Sequence, residues 1–143
     1  MRARFALPAP FLLLSLALAP GPAAAGEAEQ AAARAVIALQ VEALGRDDAP
    51  TAYAQAAPAI RAIFPNADLF LGMVRSQYQP VYRHRTFVFG QARDLGETSV
   101  SQSVAIQDEV GTDWTAEYTL DRQADGAWRI TGCRLTKAPG VRA

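Results

Sequence analysis

From Glu29 to Leu44 the apolar residues recur at helical spacing. Val36, Leu39 and Ala43 share a face with Ala32, and Ile37, Val41 and Leu44 widen it. Gly45 ends this helix. Asp47 or Asp48 is placed to cap the next, which tolerates Pro50 in its first turn and carries Ala52, Tyr53 and Ala56. Pro58 restarts a short helix through Phe64. Pro65 stops it, and Asn66 caps a third helix whose apolar face is Leu69, Phe70, Met73 and Val74. Pro80 closes the helical half.

Beyond about Tyr78 the period changes from helical to alternating, and turn residues return at regular intervals. Ala124-Asp125-Gly126 fits a three-residue hairpin loop with glycine in the left-handed position, closed by Gln123 and Ala127. That register sets Leu120 opposite Ile130 and Arg122 opposite Trp128 on one face, with Asp121 opposite Arg129 and Thr119 opposite Thr131 on the other. Glu109-Val110-Gly111, closed by Asp108 and Thr112, repeats the device. It pairs Ile106 with Trp114, Val104 with Ala116, Gln102 with Tyr118 and Val100 with Leu120. A turn at Leu95-Gly96 adds a first strand, with Phe87 opposite Val104 and Phe89 opposite Gln102.

Cys133 and Leu135 are out of phase with Trp128 and Ile130, so one extra residue is expected near Gly132, a β-bulge. Past it, Leu135 faces Ala116 and Arg134 faces Glu117. Helices followed by strands predict an α+β fold. Three N-terminal helices pack on the apolar face of a curved, four-stranded antiparallel meander, giving a cone.

The N-terminus carries a different signal. Arg2 and Arg4 precede an apolar run from Phe5 to Ala19, followed by Pro20, Pro22 and the small residues Ala23-Ala24-Ala25. This is the pattern of a cleavable signal peptide over residues 1–25, with cleavage after Ala25 and a periplasmic or secreted destination. The run is shorter than the roughly 20 residues of a membrane-spanning helix and is interrupted by Pro8 and Pro10. The only cysteine, Cys133, is far from the cleavage site, so no stable membrane anchor is expected. The remaining residues 26–143 suffice for one domain with a single core. They hold 12 basic and 14 acidic residues, with no basic run or stripe, which argues against nucleic acid as a partner. A lone cysteine forms no internal disulfide and reads as a small buried apolar residue.

The order of elements resembles the nuclear-transport-factor-2-like (NTF2-like) superfamily, also called the SnoaL-like or cystatin-like cone. Several segments are similar to an exported bacterial family, domain of unknown function 4864. They are Ile37-Ala38-Leu39-Gln40, Arg46-Asp47-Asp48-Ala49, Ala52-Tyr53-Ala54, Phe70-Leu71-Gly72-Met73-Val74 with Tyr78, and the run Gly126 to Cys133. The resemblance implies the cone fold and transfers no catalytic residue, because that superfamily contains isomerases, dehydratases, carriers and interaction modules alike.

Acid–base chemistry in such a cone needs an inward Asp, Glu or His. The register sends none inward from the strands, so no catalytic residue is assigned. His84 falls on the outer face near Gln107. No zinc spacing exists, and neither a metal nor another cofactor is implied. Asp47 and Asp48 read as a helix cap, and Glu117 is matched by Arg134. The polar inward positions are Gln102, between Phe89 and Tyr118, and Gln40 on the first helix. They act either as a satisfied core network or as contacts to a ligand. Tyr53, Tyr78 and Tyr82 are candidates for the mouth of the cone.

The expected function is a non-catalytic module binding a small, largely apolar ligand or a protein partner. A cofactor-free isomerase or lyase would use Tyr118 or Tyr53 as an oxyanion donor and would need a helix carboxylate such as Asp68 or Glu42 in the cone. A structural alternative is a homodimer through the outer sheet face, where Val88, Ser101, Ser103, Ala105, Thr115, Thr119 and Thr131 form a small-residue surface.

Overall fold

The computed structural model describes residues 22–139, with side chains from 26 onward, and the isolated positions 6, 15 and 17. Most of the expected signal peptide lies outside the described residues. The element order is α1 (Pro22–Gly45), α2 (Ala49–Ala54), α3 (Pro58–Ile63), α4 (Ala67–Gln77), α5 (Gln79–Tyr82), then β1 (His84–Asp94), β2 (Ser99–Asp108), β3 (Asp113–Arg122) and β4 (Trp128–Lys137). The fold is α+β, with the strands in one antiparallel meander of order β1-β2-β3-β4.

There are five helices among the described residues where three were expected. Pro58 restarts the chain as α3, as its position in the sequence indicates, so the second helical region counts as two helices, whereas Pro80 sits in the first turn of α5 rather than ending the helical half. Proline is compatible with a first turn because the N–H it lacks has no helical partner there. The caps follow the sequence signals. Asp48 accepts a hydrogen bond from the Thr51 N–H at 3.2 Å, and Asn66 accepts one from the Leu69 N–H at 2.9 Å. Asp47 is instead in the left-handed region, at φ 56°.

Two helical faces are rotated from expectation. On α1 the buried stripe is Ala33, Ile37, Gln40, Ala43 and Leu44, while Leu39 is 42% exposed. On α4 it is Phe70, Leu71 and Val74, while Leu69 is 54% exposed. Alanine-rich helices carry apolar residues on several faces, so spacing alone leaves the angle of the stripe loose.

The β2–β3 pairing is as expected at every rung, including Gln102 with Tyr118 and Val104 with Ala116. Gly111 (φ 88°) and Gly126 (φ 87°) occupy the left-handed turn positions. The β3–β4 bulge is present as well. Leu120 pairs with Ile130 and Thr119 with Gly132, leaving Thr131 as the extra residue and bringing Tyr118 opposite Cys133 and Ala116 opposite Leu135. Thr119 therefore does not face Thr131 in the ladder, although their hydroxyls bond at 3.0 Å. Glu117 and Arg134 are register partners, but the Glu117 carboxylate accepts its hydrogen bond from the Ser101 hydroxyl.

The β1–β2 register differs. Phe87 faces Ile106, Phe89 faces Val104, and Ala92 faces Gln102. The turn is longer than a two-residue link, closing with the Leu95 N–H on the Ser99 carbonyl at 2.9 Å. By itself that longer turn would put Phe87 and Phe89 on the outer face. A bulge between Phe89 and Ala92 restores their phase, so both rings still pack against the core. His84 pairs with Asp108 and is half-buried, not solvated. Its Nδ1 lies 3.1 Å from the Pro80 carbonyl and its ring 5.2 Å from that of Phe87.

The helices cover the face of the sheet that carries Val100, Val104, Ala116, Tyr118, Leu120 and Ile130. The α2–α3 link joins the sheet directly. The Ala57 N–H donates to the Ile130 carbonyl at 2.8 Å, and the Ile130 N–H to the Gln55 carbonyl at 2.9 Å. That contact fixes the helical layer against β4.

Candidate binding cavity

Between the helical layer and strands β3 and β4 lies a cavity of about 290 Å³. Its apolar wall is built by Leu44 from α1, Ile60 from α3, Phe70 and Val74 from α4, and Ile130 from β4. Phe64, the residue ending α3, adds a ring set edge-on to Phe70 at 6.1 Å. The polar residues in the lining are Gln40, Gln77, Tyr78, Tyr118 and Cys133, although the Tyr118 hydroxyl oxygen itself is sealed from the cavity. The lining contains no Asp, Glu, Lys, Arg or His.

Each polar group is held by an identifiable feature of the chain. Gln40 sits in the buried stripe of α1, and its Nε2 donates to the Ala52 carbonyl at 3.2 Å. Tyr78 ends α4 and donates its hydroxyl to the Cys133 carbonyl at 3.0 Å, tying the helical layer to β4. Tyr118 is 1% exposed, and no oxygen or nitrogen pairs with its hydroxyl, which has only the Cys133 thiol as a neighbouring partner. The Cys133 thiol lies beside it as register partner, and sulfur is a weak partner for a hydroxyl.

Burial raises the pKa of both tyrosines, well above the ordinary value for Tyr118, and pushes Cys133 up to about 12. All three groups are therefore neutral at physiological pH. The thiol is a poor nucleophile here, because nucleophilicity belongs to the thiolate.

Of the residues singled out in the sequence, Gln40, Tyr78 and Tyr118 line this cavity. Four others stand elsewhere. Tyr53 stacks near Phe70 at 5.7 Å and gives its hydroxyl to the carbonyls of Phe64 and Arg61, so it fastens the end of α3. Phe89 packs edge-on against Phe87 at 5.8 Å. Gln102 is fully buried at the β1 bulge, where its Nε2 donates to the Gly90 carbonyl at 3.0 Å and the Ser103 carbonyl at 2.8 Å. Its Oε1 has no partner.

Tyr82 belongs to an exposed network at the α1–α2 turn. Its hydroxyl donates to the Asp47 carboxylate, which also receives Arg75 and Arg83, each at 3.2 Å. The Arg83 guanidinium lies 3.8 Å over the Tyr82 ring. The Tyr82 hydroxyl, with Arg75 and Arg83 beside it, holds Asp47 below the usual carboxylate range. Asp47 thus anchors α4 and the start of β1 to the end of α1, where only a helix cap was expected.

Sequence reasoning passed over Cys133 as a lining residue, although its signal was present. Once Leu135 faces Ala116 beyond the bulge, Cys133 must stand opposite Tyr118. Gln77, Phe64 and Phe70 gave no such signal, because the cavity depends on how α3 and α4 lie over the sheet.

A family model described as "Domain of unknown function (DUF4864)" matches residues 26–143. The chain belongs to the DUF4864 family. No curated protein and no solved structure shows significant similarity to this DUF4864 chain. Among its described residues no helix is long and apolar enough to cross a membrane, and no three His, Cys, Asp or Glu side chains come together as a metal site would require.

Proposed function

We propose that this chain is an exported, non-catalytic module that binds a small, largely apolar molecule in the cavity between the helices and strands β3 and β4. The observation carrying this reading is the cavity itself. Its roughly 290 Å³ of apolar space meets a few polar groups, the usual composition of a small-molecule site. Glu42 and Asp68, on which the acid–base alternative depends, are both exposed to solvent and outside the lining. Export rests on the signal-peptide pattern of residues 1–25, which suits a carrier or sensor outside the cytoplasm.

Placement in the NTF2-like superfamily is part of the same proposal. It is supported by helices preceding a four-stranded antiparallel meander whose apolar face they cover. A second copy of the chain would seat on the outer sheet face, where Val88 is 58% exposed beside Ala105.

Native mass spectrometry of the full chain purified from its own compartment tests the reading. A reproducible extra mass is expected, and it should be lost from Gln77→Trp, which places an indole at an exposed edge of the cavity. The reading fails if the extra mass is retained equally by that variant, or if added apolar compounds never give a one-to-one complex.

A further inference from the structure

Removal of the signal peptide would leave Gly26 as the first residue, which is also where the DUF4864 match begins. Because α1 runs through this point, from Pro22 to Gly45, Gly26 then opens the shortened helix. The end of β1 lies against it. Asp94, the last residue of β1, accepts a hydrogen bond through Oδ1 from the side-chain amide of Gln30 at 3.4 Å, about one helical turn beyond Gly26. Its Oδ2 lies against Gly26 itself. A Cβ on residue 26 would stand 2.8 Å from that oxygen, closer than real side chains come. The backbone nitrogen of Gly26 is two bonds from that Cβ position, and so within about 5 Å of the carboxylate.

We infer that loss of residues 1–25 turns the Gly26 nitrogen into the cationic partner of Asp94, an ion pair that ties the start of α1 to the end of β1 in the processed chain alone. The inference rests on the proposal that the chain is exported and loses its signal peptide. A signal peptidase adds water across the Ala25–Gly26 amide. The C–N bond breaks, the water oxygen stays on the Ala25 carbonyl carbon as part of a carboxylate, and the nitrogen takes both water hydrogens to become an ammonium. In the precursor the same nitrogen is a neutral amide with no charge to pair. An ammonium at a helix N-terminus meets the positive end of the helix dipole and is stabilised by nearby carboxylates. Glu27 and Glu29 stand in the first turn of the shortened helix, but Glu29 is engaged by Arg122 at 3.5 Å. Arg93 and Glu97 flank Asp94 along the chain. Asp94 is the carboxylate that the sheet brings to the new terminus, and glycine there leaves it room.

The test uses isotopically labelled chain isolated from the compartment to which it is exported. Its intact mass should correspond to a chain starting at Gly26. An NMR titration from pH 6 to pH 10 then follows the Gly26 amino group. It should titrate roughly half a pH unit higher in the wild type than in Asp94→Asn, the scale of an exposed ion pair, and the difference should shrink in 1 M salt. Glu109→Gln removes an exposed carboxylate at the opposite end of the sheet and should leave the titration unchanged. The inference is overturned, with export intact, if the wild type and Asp94→Asn titrate together or if Glu109→Gln has the same effect as Asp94→Asn. A mass that starts at another residue, or that retains residues 1–25, overturns cleavage after Ala25 and the ion pair with it.

Discussion

Tyr118 on β3 is the register partner of Cys133 on β4, so the two residues stand side by side in the cavity wall. The bulge at Thr131 creates this pairing, because without the extra residue Cys133 would point to the other face. Burial, the largest cause, pushes the thiol up to about 12, so almost none of it is thiolate at pH 8. A disulfide reagent at pH 8 should therefore label the folded chain at least ~100-fold more slowly than the denatured chain. Equal rates would mean that burial does not hold the Cys133 thiol in its neutral form.

Two buried polar residues should respond in opposite ways to removal of their polar atoms. Tyr118→Phe deletes a hydroxyl whose one neighbouring partner is the weakly hydrogen-bonding Cys133 thiol, so it should leave stability unchanged or raise it by up to about 1 kcal/mol. Gln102→Leu strands the Gly90 and Ser103 carbonyls at the β1 bulge and should cost about 1–3 kcal/mol. Denaturant unfolding of both variants checks the pair. A stabilising Gln102→Leu would show that the amide is not fastening the bulge.

The stripe of α1 can be located by comparing neighbours. Ile37 is fully buried and Leu39 is 42% exposed. Ile37→Ala should cost about 2–5 kcal/mol, and Leu39→Ala less than about 1. Comparable losses at both positions would put the helix in a different rotation.

Much of the sheet was legible because two constraints had to agree. Glycine positions fixed the hairpin turns, and alternation fixed the faces, so the β2–β3 rungs and the β4 bulge follow from residues such as Gly111, Gly126 and Cys133. The β1 register escaped because two irregularities compensate. A longer turn after Asp94 shifts the pairing, and the bulge at Gly90 and Gln91 restores the inward phase of Phe87 and Phe89. Alternation alone cannot reveal such a cancelled shift. The helical half was less determinate, since alanine fits several faces and gives Leu39 and Leu69 no unique side. For the cavity, Gln40 and Tyr118 were readable as inward polar residues. Gln102 carried the same pattern, yet it serves the bulge, a role visible only once the β1 register is known.

Asp47 should make acid stability depend on pH. Its folded pKa lies below the ordinary value near 4, so the stability it contributes is present above that value. It is lost as pH falls through the depressed folded value. Asp47→Asn keeps a residue type that tolerates a positive φ and removes the titration. Melting temperatures between pH 2 and pH 6 should therefore fall less steeply for Asp47→Asn than for the wild type. Superimposable profiles would show that the Tyr82–Arg75–Arg83 network is not coupled to folding.

Chemical-shift mapping reads directly where an apolar molecule binds. Naphthalene titrated into isotopically labelled full chain should shift the amides of Val74, Tyr78, Tyr118 and Cys133 together, to one saturable end point. Shifts confined to the outer-face residues Val88, Ala105 and Thr115, or an unchanged spectrum, would contradict the cavity as the binding site.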